Sequence, residues 1–319
     1  MQELLFQDFE SEALSLFRYQ AKNNAVYSRF LSYLGKDLDA VQEISDIPFM
    51  PISFFKDFEI KTDAFDAEQV FLSSGTTGMQ QSQHFVKDLA LYEKSYLQAF
   101  NLFYGNPKDW VILALLPAYL EREGSSLIYM VDDLIKRSEN SASGFYLHNL
   151  DALAKSLLEL DKQGKKVLLI GVSFALLDLL DRYQFDLKNT VIMETGGMKG
   201  RRKEMIRTEL HEILCSGFGV SKIHSEYGMT ELLSQAYSKG DGVFYSPSWM
   251  KILIRDPEDA LSYVAAGRGG GINVIDLANR DSCAFIATQD LGKIHPDGGF
   301  EILGRFDHSD IRGCNLLVQ

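Results

Sequence analysis

The sequence predicts an α/β fold built on a parallel sheet, with a smaller antiparallel region after about residue 242. Three observations predict it. Between about residues 110 and 225, apolar runs of strand length alternate with stretches of helical periodicity. Beyond Gly242 the strands become short and are separated by glycines. Pro296-Asp297-Gly298-Gly299 is a turn signal between Lys293-Ile294 and Phe300-Glu301-Ile302-Leu303. Alternating strands and helices imply parallel pairing with helices on both faces. Ligands of such sheets bind in loops at the carboxyl ends of the strands.

The elements follow in order. Phe9, Leu14, Leu16, Phe17, Val26, Tyr27, Phe30, Leu31 and Leu34 recur at helical spacing, which predicts one or two amphipathic helices over 7–34. Ile47-Pro48-Phe49-Met50-Pro51 breaks helix and is extended, because a residue before proline avoids the α region. Residues 89–103 read as a helix and 110–116 as a buried strand stopped by Pro117. Then come helix 150–160, strand 166–172, helix 174–183, strand 190–193, helix 201–215 and strand 222–225. Short strands at 251–254, 272–276 and 284–288 complete the pattern. The expected organisation is a helical segment 1–60 packed on a main α/β domain 61–305, with a hinge-like tail at 306–319.

Composition narrows the function. The 319 residues allow two domains or one large one and can bury a sizeable core. With 46% hydrophobic and 24% charged residues, neither a disordered chain nor a fibrous repeat fits. A net charge of −12 repels nucleic-acid phosphates and anionic lipid. No apolar run approaches the roughly 20 residues that span a bilayer. The start of the chain lacks a basic region followed by an apolar stretch, so no signal peptide and a cytoplasmic location are expected. Cys215, Cys283 and Cys314 are too few and too widely spaced for a zinc ribbon or a disulfide framework.

Four motifs carry polar chemistry. Ser73-Ser74-Gly75-Thr76-Thr77-Gly78 sets four hydroxyls among glycines, whose backbone N–H groups turn inward to make an anion nest; the same composition also makes a surface turn. Glu226-Tyr227-Gly228-Met229-Thr230-Glu231 follows a strand and offers a ring, a hydroxyl and carboxylates, or equally the N-cap of a next helix. Glu194-Thr195-Gly196-Gly197-Met198-Lys199-Gly200 leads into the basic Arg201-Arg202-Lys203; by itself it reads as a tight loop with a solvated helix start, while positive charge at a helix N-terminus opposes the macrodipole, a cost an anionic ligand would offset. Gln289-Asp290-Leu291-Gly292 and Gly304-Arg305-Phe306-Asp307 pair a carboxylate for ribose hydroxyls with an arginine for ribose or phosphate; each alone also reads as a turn.

Taken in this order, the set resembles the adenylate-forming superfamily of acyl and aryl ligases, from about residue 45 onward. Within it the chain is similar to the acyl-protein synthetase family of the LuxE type. The shared features are the 47–56 segment Ile-Pro-Phe-Met-Pro-Ile-Ser-Phe-Phe-Lys, Ser82-x-His84 after the glycine loop, and Arg312-Gly313-Cys314-Asn315-Leu316-Leu317. The resemblance implies the large N-terminal adenylation domain of that superfamily, without its C-terminal lid. It implies ATP and Mg²⁺ as cofactors, acyl-AMP formation from a fatty or other carboxylic acid, and transfer to a cysteine thiol. An acyl-accepting reductase or a carrier protein is the implied partner, with no nucleic acid and no membrane span.

The implied roles are specific. Ser73, Ser74, Gly75, Thr76, Thr77 and Gly78 hold the ATP phosphates. Tyr227, beside Gly228, stacks on adenine. Thr230 bonds the α-phosphate, Glu231 holds Mg²⁺, Asp290 binds ribose and Arg305 contacts ribose or phosphate. Gly196 and Gly197 line the adenine and acyl pockets, His84 faces the reacting carboxylate or the phosphates, and Cys314 accepts the acyl group. The sequence departs from the typical ligase at Met79-Gln80, where Pro-Lys is usual, and has no lysine after Lys293. Positive charge for the reaction is therefore expected from Lys199, Arg201, Arg202, Arg305 or Mg²⁺. An acyl-AMP ligase serving coenzyme A or a carrier protein, and a non-catalytic nucleotide-binding module, are the competing readings.

Overall fold

The computed structural model of the chain describes residues 8–73, 80–116, 124–146, 149–196, 202 and 205–306. Two helices open it, α1 (Phe9–Asn23) and α2 (Ala25–Tyr33). Asn24 separates them: its extended backbone ends the first, and its side chain accepts the Tyr27 N–H to start the second. The proline-flanked segment is extended as predicted and forms β1 (Met50–Pro51), followed by the one-turn α3 (Phe54–Asp57). Next, β2 (Gln69–Leu72) and β3 (Gln83–Val86) pair antiparallel on either side of the glycine-rich loop, a hairpin the sequence pattern does not announce.

The alternating region follows. It comprises α4 (Leu89–Tyr104), β4 (Val111–Leu115), α5 (Ser126–Arg137), β5 (Gly144–Phe145), α6 (Leu150–Lys162), β6 (Val167–Gly171), α7 (Ser173–Leu180), β7 (Thr190–Glu194), α8 (Arg207–Phe218) and β8 (His224–Tyr227). Strands β4, β6 and β7 are buried at nearly every position, as parallel strands covered on both faces must be. The last helix begins at Arg207, six residues later than its periodicity suggests. It ends at Gly219, whose positive φ closes the helix.

The remaining strands are β9 (Ala236–Ser238), β10 (Val243–Tyr245), β11 (Met250–Arg255), β12 (Gly270–Asp276), β13 (Phe285–Ile294) and β14 (Phe300–Arg305). Among the described residues the main sheet has twelve strands, in the order β11-β12-β13-β14-β10-β9-β8-β7-β6-β4-β5, with β1 parallel to β13 off this path. Pairing is parallel from β5 to β8 and antiparallel from β8 to β11. The antiparallel region therefore continues the parallel sheet through the β8–β9 pair, and one hydrophobic core runs beneath both parts.

The N-terminal helices dock on β13. Phe17 meets Phe285 edge-on at 5.9 Å and Tyr27 stacks on the same ring at 6.1 Å. Gln20 Nε2 donates to the carbonyls of Asn279, Arg280 and Ser282, while its Oε1 accepts the Ala284 N–H at 2.9 Å. Among the described residues no helix is long and apolar enough to cross a membrane.

Candidate active site

Strand β8 carries the chain to the carboxyl edge of the parallel sheet, where 228–231 turn back into β9. No helix follows Thr230, so the motif does not serve as an N-cap. The turn is held from below by buried polar side chains. Asp276 Oδ2 accepts the N–H groups of Leu233 and Ser234 at 3.0 and 2.9 Å. Asn279 Oδ1 accepts the Leu233 N–H and its Nδ2 donates to the Glu231 carbonyl at 2.7 Å. Burial pushes the Asp276 carboxyl up to about 6 against the lowering effect of these donors. Sequence reasoning missed Asp276 and Asn279; their signal is a carboxylate closing an otherwise apolar strand and an amide in the turn just beyond it.

His84 belongs to the same scaffold. It is 1% exposed on the inward face of β3. Nδ1 lies 2.8 Å from the Thr230 carbonyl and Nε2 lies 2.9 Å from Ser282 Oγ. A carbonyl only accepts, so Nδ1 carries the proton and Nε2 accepts from the serine. Burial lowers the imidazole to about 4 and keeps it neutral. The expectation that His84 faces the reacting groups is therefore corrected: strand alternation turns it inward, and both ring nitrogens engage the protein. It positions Thr230.

Asp290 is the second node. Tyr227 donates its hydroxyl to Asp290 Oδ2 at 2.9 Å, and Arg305 Nε donates to Oδ1 at 3.0 Å. The β13–β14 register places Asp290 opposite Arg305. The Tyr227 ring is buried edge-on against Phe244 and Phe300, at 6.1 and 5.8 Å. Burial, then the Asp290 charge, raises its phenol well above the usual range. Glu231 is buried close by, its carboxyl raised by desolvation and steadied by Ser82 and the charges of Arg305 and Lys56.

Ser82 also closes the base of the glycine loop. Its N–H donates to Ser73 Oγ at 2.8 Å and its carbonyl accepts the Ser73 N–H at 3.0 Å. Ser82 thus brings the loop base to Glu231, while His84 on the same strand reaches Thr230. Ser74, Gly75, Thr76, Thr77, Gly78, Gly197 and Cys314 lie outside the described residues.

The third cluster surrounds Glu194 at the end of β7. Its carboxylate accepts from the Gly196 N–H at 2.8 Å and from Ser173, with Arg207 at 3.5 Å and His211 at 3.6 Å. Burial opposes ionisation, but these partners win and hold the carboxyl at about 2. Gly196 thus serves Glu194 through its backbone. Of the basic cluster, Arg202 is described: it pairs with Asp178 and Asp181 on the α7 side, so it offers no free charge to an anion.

A model of the family "Acyl-protein synthetase, LuxE" matches residues 129–319, more than half of the chain. The chain belongs to this family. Comparison with curated proteins found no match. Among solved structures it is similar to ATP-bound MatB from Rhodopseudomonas palustris, with a TM-score of 0.56 at 19% identity over 76% of this chain and 49% of that one. A 2-hydroxyisobutyryl-CoA ligase gives 0.65 at 12% identity over 93% and 69%. The long-chain-fatty-acid-CoA ligase FadD1 from Archaeoglobus fulgidus gives 0.52 at 14% over 74% and 51%. These likenesses establish the fold, that of an adenylate-forming ligase's large domain. The LuxE-family chain spans about half the length of MatB.

Proposed function

We propose that the chain uses ATP to convert a carboxylic acid to an acyl-adenylate and passes the acyl group to a cysteine thiol. The observation that carries the reading is the meeting of Tyr227, Thr230, Glu231, Asp290 and Arg305 at one sheet edge, in a member of the LuxE family.

The reaction joins an acid anion to a polyanion, so its main demand is cancellation of negative charge. Among the described residues each Asp290 carboxylate oxygen takes one hydrogen bond, which leaves acceptor capacity for the ribose hydroxyls. The Arg305 side chain is 76% exposed and bonds Asp290 through Nε, so its other donors reach ribose or phosphate. Thr230 presents its hydroxyl to the α-phosphate from a backbone pinned by His84 and Asn279. Glu231 suits Mg²⁺, which takes one or two carboxylates and completes its shell with phosphate oxygens and water. Mg²⁺ would offset the phosphate charge. The loop 74–78 would supply backbone N–H groups to the phosphates and Gly197 would line the pocket. The acid is fatty or otherwise, Cys314 is the acceptor, and a reductase or carrier protein takes the product, all in the cytoplasm.

Exchange of labelled pyrophosphate into ATP, run against a panel of carboxylic acids, tests the reading. Acid-dependent exchange is expected, with kcat/KM for ATP falling about 10- to 100-fold in Asp290→Asn. No exchange with any acid would sink it. Hydroxylamine-labile acyl label on the protein should vanish in Cys314→Ser; label that persists there removes the cysteine step.

A further inference from the structure

We propose that the acid taken by this site carries a hydrogen-bond donor, a hydroxyl or an ammonium group, received by Glu226, Gln235 and Thr195 on the α4 side of the sheet. The inference rests on the adenylation reading above and names its substrate class.

The register brings the three together. Glu226 pairs with Tyr237 across β8–β9, which sets Gly228 opposite Gln235. Glu194 pairs with Ser225 across β7–β8, and the Thr195 N–H extends the ladder to the Gly171 carbonyl at 3.0 Å, so Thr195 comes beside Glu226. Strand alternation puts Thr195, Glu226 and Gln235 on one face, opposite the face of Tyr227 and Asp290. A Cβ on Gly228 would collide with Glu226 Oε1 and lie 3.2 Å from Gln235 Cγ, so the two side chains converge over that glycine. Tyr237 and Tyr104 wall this face, their rings edge-on at 5.3 Å.

Two of the three groups are unsatisfied among the described residues. Gln235 Oε1 and Thr195 Oγ1 are buried with no hydrogen-bond partner among the described residues, although both residues are more than nine-tenths buried. Glu226 is half-buried beside them, with its Oε1 over Gly228. Folded proteins rarely leave such atoms unpaired, and an orphan at a strand's carboxyl edge points to a ligand that completes it. Glu194 next door needs no ligand, because Arg207, His211 and the Gly196 N–H already surround it. Burial, then the Glu194 charge, raises the Glu226 carboxyl to about 8. At neutral pH it is therefore a carboxylic acid that both donates and accepts. A substrate hydroxyl would donate to Gln235 Oε1 and accept from Glu226. A substrate ammonium would instead release the Glu226 proton to solvent and pair with the carboxylate. A plain alkyl chain would leave Gln235 Oε1 and Thr195 Oγ1 unpaired.

Pyrophosphate exchange with matched acids of one chain length, unsubstituted, hydroxylated and amino-substituted, tests this. The wild type should favour a donor-bearing acid about 10- to 100-fold in kcat/KM, the loss expected when a built polar site meets an analogue lacking the group. Glu226→Leu should erase that preference, read as the ratio of kcat/KM between the matched acids. Glu226→Gln keeps a neutral hydrogen-bonding group, so it should retain a hydroxyl preference and lose an ammonium one. Equal use of unsubstituted acids by the wild type, or an unchanged preference in a folded Glu226→Leu, overturns the proposal and leaves adenylation standing. If Glu226→Leu does not fold, Gln235→Leu takes its place under the same criteria. Absence of exchange with every acid overturns both readings.

Discussion

His84 illustrates how little a residue type says until its neighbours are known. A histidine soon after a glycine-rich loop invites a role at the reacting atoms. Its two ring nitrogens instead link the Thr230 carbonyl to Ser282, joining β3 to two loops far apart in sequence. The consequence is measurable. Folded His84 titrates at about 4 against an ordinary 6.5, so below pH 6.5 the unfolded chain binds a proton that the folded one refuses. Stability is full above 6.5 and is lost as pH falls towards 4, by about 3 kcal/mol once the difference is complete. Urea unfolding at pH 7, 5.5 and 4.5 should show a shallower loss in His84→Gln than in the wild type. His224, lowered to about 4 in the same way, remains as a contributor in the variant. An unchanged slope would mean that His84 ionises freely in the fold.

At the scale of elements, hydrophobic periodicity located the helices and strands of the alternating region well, because each is a continuous stripe or run buried by its neighbours. The ends were less legible. The start of α8 moved from 201 to Arg207 because Arg202 bonds Asp178 and Asp181 outside the helix, a contact that no local pattern encodes. Its C-terminus depends on Gly219, with φ +69° and a position where a Cβ would lie 2.6 Å from Asp186 Cα and 2.7 Å from the Phe185 carbonyl. Both obstacles are backbone, so Gly219→Ala should cost about 2 kcal/mol or more, from left-handed strain and the clash together. Thermal unfolding should show the loss as a lowered Tm. The hairpin β2–β3 and the strands β9 and β10 are too short to carry a period, and only their pairing defines them.

For the molecule as a whole, the sheet is continuous from its parallel to its antiparallel half, and the N-terminal helices lock onto the turn that carries Ser282. That turn reaches His84 and, through Asn279, the Glu231 backbone, so the helices support the site from behind. Gln20 is the central bolt. Replacing it with leucine removes a donor shared by three carbonyls and leaves the buried Ala284 N–H unpaired, at a cost of about 1–3 kcal/mol. Circular dichroism in the near and far ultraviolet should give coincident unfolding curves for the wild type and for Gln20→Leu, with the variant shifted to lower denaturant. Separate transitions would show that the two halves of the sheet unfold independently.

The amino-acid sequence by itself determined the alternating α/β pattern, the order of the polar motifs and membership in a recognisable family. Each of these is written in local composition or in linear order. Tertiary structure alone decided what the motif residues touch. It joined Tyr227 to Asp290 and Arg305, turned His84 inward beneath Thr230, and left Thr195 Oγ1 and Gln235 Oε1 unpaired on the face of Glu226. The physical reason is that burial and hydrogen-bond partnership arise between strands distant in the chain. They set a side chain's charge and reach, and no local sequence window contains them.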